Sequence, residues 1–230
     1  MNSITSYTLQ AVIECKTRLL AEQPDNGHLY LVMNMIECHI FRSILECVDN
    51  FHTMNPPVIH RDLRPENILL AVNSRNEHCI IIGNTGLATI HEFSTQSHTA
   101  GVGSGGYQAP EVANGRNYDT QADVYSLSII FQHLFNCFIW CDSQQHRDEP
   151  PIVTQLHQYL RLQFNAMMNS VFEERPSCAE ILMVSRPYLI DFGQFTDDPE
   201  VVATIQWLYK NGGPFFHSFL HEVLLKYQIL

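Results

Sequence analysis

The sequence predicts an α+β domain in which a small strand-containing part precedes a mainly helical body. Short apolar runs typical of strands occur early in the chain, at 28–35, 58–59, 68–70 and 79–82. From residue 119 onward the apolar residues recur mostly at helical spacing. The 230 residues are 45% apolar and 16% charged, which is enough to bury a core and excludes a disordered chain.

The N-terminal third is predicted to contain two helices with one strand between them. Residues 5–22 are predicted to form a helix, and the Pro-Asp-Asn-Gly turn at 24–27 ends it. The segment HLYLVMNM, residues 28–35, alternates apolar residues and is predicted to be a strand. Helical spacing predicts a second helix over 40–54, which Pro56-Pro57 stops.

The C-terminal end is predicted to form two further helices. Asp198 and Pro199 suit the N-cap and first position of one helix, and Gly212-Gly213 suits its end. A last helix over 214–230 carries an apolar side, formed by Phe216, Phe219, Leu220, Val223, Leu224 and Tyr227. That side either packs on the core or forms a dimer or partner surface, and both interpretations stay open here.

Charge and cysteine content restrict the setting of the protein. The net charge of −11 argues against nucleic acid or an anionic membrane as a partner. The apolar stretch from Leu127 to Trp140 is too short and too polar to span a bilayer and is predicted to be a buried helix. Seven cysteines without a C-x-x-C pair, and no signal peptide, are typical of reduced thiols in a cytoplasmic protein.

The segment VIHRDLRPENILL, residues 58–70, resembles the catalytic loop of eukaryotic protein kinases, H-R-D-L-x-x-x-x-N. Further motifs of that family follow in order: SGGYQAPEV at 104–112, ADVYSLSII at 122–130 and ERPSCAEIL at 174–182. The resemblance covers roughly residues 28–185. It implies a protein-kinase-like fold, mainly the helical C-lobe, with a remnant N-lobe at 1–36, the C-lobe at 37–190 and a helical extension at 191–230.

The resemblance implies a role for each matched residue of the catalytic loop. Asp62 would accept the proton of the substrate hydroxyl, with His60 and Arg61 beside it. Asn67 would offer an oxygen to magnesium. Arg64 would place positive charge near the transferred phosphate. Gly103 and Ser104 resemble the Gly-Thr or Gly-Ser of serine/threonine kinases.

Other matched residues are expected to be structural. Glu111 of the A-P-E motif and Arg175 would form a buried ion pair. Asp123 would hold backbone amides of the catalytic loop. By the same resemblance, Arg61 could grip a phosphate on the activation segment, and the candidate sites are Ser94, Thr95, Ser97 and Thr99; an unmodified loop is the alternative.

The chain departs from the family pattern at its ATP and metal sites. Only 33 residues precede Asn34, the predicted hinge, and they contain neither a G-x-G-x-x-G loop nor an assignable ATP lysine. Lys16 lies in a helical context that fits the regulatory helix better, and Glu14 would be the glutamate of that helix. Asn84-Thr85-Gly86 stands where kinases carry D-F-G, so the magnesium-binding anion is replaced by a neutral amide. With Asn67, Asn84 is the candidate cofactor and magnesium ligand that the resemblance implies, since its amide keeps one oxygen donor but loses the charge.

Two patterns are interpreted as coincidental. Asp191-Phe192-Gly193 spells D-F-G but lies too late in the chain to reach the metal site of this topology. His133, Cys137 and Cys141 lie four apart on a predicted helix, with His146 beyond. Ligands along one straight helical face cannot surround a zinc ion.

Two functional hypotheses follow from the matches and the departures. The first is a pseudokinase that binds or scaffolds a protein partner, such as another kinase, and needs no cofactor. The alternative is an ATP- and magnesium-dependent serine/threonine kinase represented by an incomplete chain. The intact His60, Arg61, Asp62 and Asn67 favour the alternative. The missing lysine, the missing glycine-rich loop and Asn84 favour the pseudokinase.

Overall fold

The computed structural model describes residues 5–23, 26–72, 78–90, 103, 105–114, 117–136 and 150–228. Among these residues the strands are β1 (Thr5–Thr8), β2 (Val58–Ile59), β3 (Ile68–Val72), β4 (His78–Ile82) and β5 (Thr89–Ile90). The helices are α1 (Leu9–Glu22), α2 (Gly27–His52), α3 (Pro110–Ala113), α4 (Gln121–Leu134), α5 (Pro151–Met167), α6 (Cys178–Ser185), α7 (Pro199–Asn211) and α8 (Pro214–Lys226).

Two small antiparallel sheets bring the catalytic loop and the Asn84 turn together. β3 pairs with β1 on one side and with β4 on the other, while β2 pairs with β5. The loop at 60–67 joins β2 to β3, and the turn at 83–88 joins β4 to β5. Because Ile59 opposes Thr89 and Ile68 opposes Ile82, the two connections are anchored beside each other at both ends.

The strand predicted at 28–35 is wrong, because these residues belong to the single helix α2. Asn26 caps this helix by accepting a hydrogen bond from the Leu29 amide at 2.9 Å. Every residue from 31 to 38 is buried, Asn34 and Glu37 included, so burial in this segment does not follow the alternation on which the strand prediction rested. Asn34 is therefore a buried helical residue and not a hinge.

The first helix begins later than predicted, because residues 5–8 form β1. Thr8 ends the strand and caps α1, accepting a hydrogen bond from the Ala11 amide at 3.2 Å. β1 pairs with β3 directly after the catalytic loop. The first described residues therefore pack on the body, and the predicted boundary between residues 36 and 37 lies inside α2.

The C-terminal predictions are confirmed by the positions of α7 and α8. Asp198 caps α7 through bonds from the amides of Glu200 and Val201, with Pro199 at the first position. The apolar side of α8 packs on the protein's own core: Phe216, Phe219, Leu220 and Leu224 are buried there. The core interpretation of this helix is thus confirmed for the described residues.

The architecture is the α+β, protein-kinase-like fold that the motifs imply, with a large helical body and a reduced N-terminal part. The predicted buried helix at 127–140 is α4 up to Leu134, and residues 137–140 lie outside the described ranges. None of the described helices combines the length and the apolarity that a membrane-spanning segment needs.

Candidate active site

Asp123, at the start of α4, fixes the backbone of the catalytic loop. Its two carboxylate oxygens accept hydrogen bonds from the amides of His60 at 2.7 Å and Arg61 at 2.9 Å. The expected role of Asp123 as a holder of loop amides is therefore seen directly. Because the carboxylate is almost fully buried, these charge-assisted bonds are strong constraints on the loop.

His52 completes this anchor, and sequence reasoning missed it. The residue lies at the end of α2, and its Nε2 is 3.1 Å from the Asp123 oxygen that also accepts the His60 amide. Its Nδ1 lies 3.9 Å from the thiol of Cys178. Burial raises the pKa of that thiol, so it stays protonated and is not a nucleophile. The sequence signal that could have indicated His52 is its position as a polar residue in the last turn of the predicted helix before Pro56.

Asp62 lies at the centre of the site and is held by two side-chain amides. Its Oδ2 accepts hydrogen bonds from Nδ2 of Asn67 at 2.9 Å and from Nδ2 of Asn84 at 3.2 Å. Asn67 Nδ2 also donates to the Asp62 carbonyl at 2.8 Å. An ionised carboxylate and a carbonyl only accept hydrogen bonds, so both amides must turn their nitrogens toward Asp62.

The turn that carries Asn84 is tied to the catalytic loop by backbone bonds. The Gly83 amide donates to the Asn67 carbonyl at 2.8 Å, and His60 Nε2 lies 3.0 Å from the Gly83 carbonyl. Because His60 Nδ1 accepts from the Asp62 amide, Nε2 is the protonated nitrogen. Asn84 has a left-handed backbone with φ of 58°, which asparagine tolerates better than most residues.

Arg61 is engaged by the surrounding backbone and by Tyr118. Its guanidinium donates to the Leu87 carbonyl and to the Tyr118 hydroxyl, the latter at 3.3 Å. Gly103 passes so close that a Cβ there would lie 2.4 Å from the Arg61 carbonyl oxygen, and its φ of +98° also requires glycine. Ser104 and the four candidate phosphorylation sites lie outside the described residues, so the phosphate-gripping role of Arg61 stays a prediction.

Arg64 turns toward a neighbouring carboxylate. Its Nε donates to Oε2 of Glu66 at 2.9 Å in a partly exposed ion pair. This pairing neutralises part of the charge that the family resemblance would place near a transferred phosphate. The role of Arg64 therefore remains a prediction.

Glu111 and Arg175 form the expected buried ion pair. The guanidinium donates to both carboxylate oxygens, at 2.6 and 2.9 Å. It also donates to the carbonyls of Asn169 and Gln121 and lies over the Tyr125 ring at 5.0 Å. Since the buried cation is surrounded by these partners, the pair joins α3 to the segment that precedes α6.

The described residues of the late Asp191-Phe192-Gly193 segment, and Lys16 and Glu14 of α1, have partners outside the catalytic loop. Asp191 caps a short turn by accepting from the Gly193 amide, and Phe192 is part of the core. Lys16 forms a buried ion pair with Glu37 at 2.7 Å and donates to the Leu134 carbonyl. Glu14 is exposed and bonded to Gln10. Of the His133, Cys137, Cys141 and His146 pattern, only His133 lies within the described residues.

The residues around Asp62 do not fit a magnesium ion. Magnesium takes oxygen ligands in near-octahedral geometry and is usually held through one or two carboxylates. Of the three central side chains only Asp62 is a carboxylate, and its Oδ2 already accepts both amides. Within the described part of the chain, no group of three or more His, Cys, Asp or Glu side chains is placed to hold a metal.

Comparison with known proteins identifies one family. The family model for the protein kinase domain matches residues 13–194 of this chain. The match includes the catalytic loop, the Asn84 turn, and the Glu111, Asp123 and Arg175 positions. It ends before α7 and α8.

The chain is also similar to individual kinases over part of their length. A protein described as a "probable serine/threonine-protein kinase" of Dictyostelium discoideum is 30% identical over 201 residues, 74% of this chain and 11% of that protein. Eukaryotic translation initiation factor 2-alpha kinase 1 of Mus musculus is 33% identical over 128 residues, 51% of this chain and 20% of that protein. Mitogen-activated protein kinase kinase kinase 7 of Drosophila melanogaster is 28% identical over 162 residues, 66% of this chain and 23% of that protein. This chain therefore spans less than a quarter of each.

Proposed function

Because this chain belongs to the protein kinase domain family, we propose that it is a catalytically impaired member, a pseudokinase that acts by binding or scaffolding another protein. One observation carries the proposal: the amide of Asn84 donates a hydrogen bond to Oδ2 of Asp62. The residue that would bind a metal in an active kinase is here a hydrogen-bond donor to the catalytic carboxylate. The site therefore compensates the charge of Asp62 without a cation.

The electrostatics of position 84 support this reading. An aspartate there would bring a second carboxylate to about the 3.2 Å that now separates the Asn84 amide from Asp62. Two carboxylates at that distance cannot both stay ionised without a cation. Asparagine removes the repulsion and adds an attractive bond, so the loop keeps its shape in the metal-free state.

The contacts of Lys16, the lysine near the start of the chain, also support the proposal. Lys16 is buried against Glu37 and the Leu134 carbonyl, so its ammonium group has a structural use inside the body. A nucleotide phosphate would therefore have to compete with these contacts for the ammonium group. The partner in this proposal is a protein. The setting is the cytoplasm, which agrees with the free thiols of the described cysteines.

An active serine/threonine kinase is the second candidate, and the ordered catalytic loop favours it. His60, Arg61, Asp62 and Asn67 are all held in place by the bonds described above. Such an enzyme would use ATP and magnesium, and the lysine and glycine-rich loop would lie outside this sequence.

The first experiment measures the melting temperature of the wild type and of Asn84→Asp, each with EDTA, with magnesium, and with magnesium plus ATP. We expect the wild type to melt at one temperature in all three conditions. In EDTA, Asn84→Asp should melt about 3–5 °C lower, since one pKa unit of repulsion corresponds to ~1.4 kcal/mol. Magnesium should restore the variant because the new carboxylate supplies an anionic ligand.

Gln158→Glu is the matched control, because it adds the same charge at an exposed position in the middle of α5. It should melt like the wild type in EDTA and in magnesium. The proposal fails if the wild type gains stability from magnesium with ATP and transfers labelled phosphate, with Asp62→Ala abolishing the transfer. That result would establish the active kinase instead.

A further inference from the structure

A groove of about 460 Å³ lies between α2 and the chain that runs from α6 to Phe192. The described residues that line it include none from the catalytic loop or the Asn84 turn. A cleft of this volume is in the range that binds ligands in other proteins. The groove is therefore a candidate binding site separate from the one around Asp62.

The floor of the groove is apolar. It is formed by Met35, Cys38, Ile190 and Phe192, all of them buried in the core. The Ile190 amide donates to the Cys38 sulfur at 3.4 Å, and burial raises the pKa of that thiol, so the floor carries no charge. Met183 stands on the rim with 71% of its surface exposed, which is a suitable position for a flexible apolar contact.

The charged residues around the groove differ in whether they have a partner within the protein. Glu46 is bound by Arg42 at 2.8 Å, and Asp191 accepts hydrogen bonds from the Gly193 amide and the Tyr227 hydroxyl. Arg186, on the opposite wall from Arg42, is exposed and makes no ion pair with any residue that the structure describes. Glu46 and Asp191 thus both have partners. Arg186, beside the apolar floor, has no ion pair among the described residues.

We propose that this groove docks a short segment of a partner protein in which an apolar side chain lies next to an acidic residue. The apolar side chain would cover the floor at Met35 and Phe192, and the carboxylate would pair with Arg186, whose planar guanidinium suits a two-point bond. This inference rests on the proposed function, because it names the surface by which the pseudokinase holds its partner.

The test uses two fluorescent eight-residue peptides that differ at one position. The first carries glutamate between leucine and phenylalanine, and its twin carries lysine in place of the glutamate. Fluorescence polarisation should show that the wild type binds the glutamate peptide about tenfold more tightly than the lysine peptide, the ratio expected when one charged pair is made or lost. Arg186→Glu should reverse this preference.

Two matched variants test whether the effects belong to the groove. Lys210→Glu reverses an exposed positive charge on α7 and should leave the preference for glutamate unchanged. Met183→Glu should weaken binding of the glutamate peptide, while Leu162→Glu, at 70% exposure on α5, should not. In methyl spectra of ¹³C-methionine protein, the peptide should shift Met35 and Met183, which line the groove, but not Met167, which does not.

Several results would overturn the inference. The wild type could bind neither peptide, or Arg186→Glu could act no differently from Lys210→Glu. Dodecanoate could shift the two groove methionines where the peptide does not, which would make the groove a fatty-acid site. Phosphate transfer by the chain would reject the pseudokinase while leaving a reversal at Arg186 intact, so the two proposals fail separately.

Discussion

Asp62 and Asp123 are buried carboxylates whose different partners indicate different roles. Asp123 accepts hydrogen bonds from two backbone amides of the loop and lies within hydrogen-bond distance of His52, so it acts as an anchor. Asp62 accepts from the side chains of Asn67 and Asn84, which lie on two separate connections. Under the proposed function, the residue at position 84 decides whether the Asp62 site needs a cation, while the contacts of Asp123 do not involve position 84.

Among single residues, Lys16 is a buried cation with a structural role, so its replacement should lower the stability of the protein. We expect Lys16→Met to lower the free energy of unfolding by about 3–5 kcal/mol, because it leaves the Glu37 carboxylate buried without the ammonium group. Urea unfolding measures the change.

Arg42→Met is the control for that experiment, since it removes an exposed ion pair with Glu46. Such exposed pairs contribute less than about 1 kcal/mol. Equal losses of stability in the two variants would show that the buried pair stabilises the protein no more than the exposed pair does.

At the scale of elements, α2 connects the separate parts of the protein. Its middle supplies Glu37 to the buried ion pair and Met35 to the groove, and its last turn supplies His52 to the anchor at Asp123. A break at residue 36 would place these contacts on two elements with independent orientations. The continuous helix instead fixes the groove relative to the catalytic loop.

Helix α8 packs into the protein core, so its buried side chains should contribute to the stability of the protein. Phe216 is fully buried in the core, and Phe215 packs edge-on against Tyr7 of β1 at 5.8 Å. We therefore expect Phe216→Ala to lower the free energy of unfolding by about 3–5 kcal/mol. Leu225→Ala, at 56% exposure on the same helix, should change it by less than about 0.5 kcal/mol. If Phe216→Ala were as mild as Leu225→Ala, α8 would have to be only loosely attached.

At the scale of the whole molecule, one core joins the kinase-like body to the C-terminal helices. The family match ends at residue 194, yet Val201, Ile205 and Leu208 of α7 belong to the same buried cluster as residues of α1, α2 and α4. A shared core predicts a single cooperative unfolding transition. We therefore expect the helices beyond the family match to unfold together with the body.

Cysteine alkylation tests whether α2 and α6, two elements of this shared core, unfold together. Cys38 in α2 and Cys178 in α6 are buried, and burial raises the pKa of both thiols, so they should react with iodoacetamide only after unfolding. Cys79 is exposed and should react in the native state. Pulse labelling along a urea series, read by mass spectrometry, should give Cys38 and Cys178 the same midpoint. Separate midpoints, or native labelling of Cys178 as fast as Cys79, would contradict a single unit.

The sequence by itself determined the parts of this protein that depend on local chemistry. The order of β2, the catalytic loop, β3 and β4 followed from short apolar runs around a motif of fixed spacing. The capping of α7 by Asp198 followed from residue type. The pairing of Glu111 with Arg175 and the anchoring by Asp123 followed from a family resemblance whose motifs are specific.

The tertiary structure alone decided the features that depend on contacts between distant segments. It made α2 one helix, because burial of every residue from 31 to 38 overrides the alternation that predicted a strand. It paired β1 with β3 and Lys16 with Glu37. It turned the Asn84 amide toward Asp62, because the two sheet pairings hold the loop and the turn side by side. The sequence showed that the anion was missing at position 84, and only the fold showed what the amide does in its place.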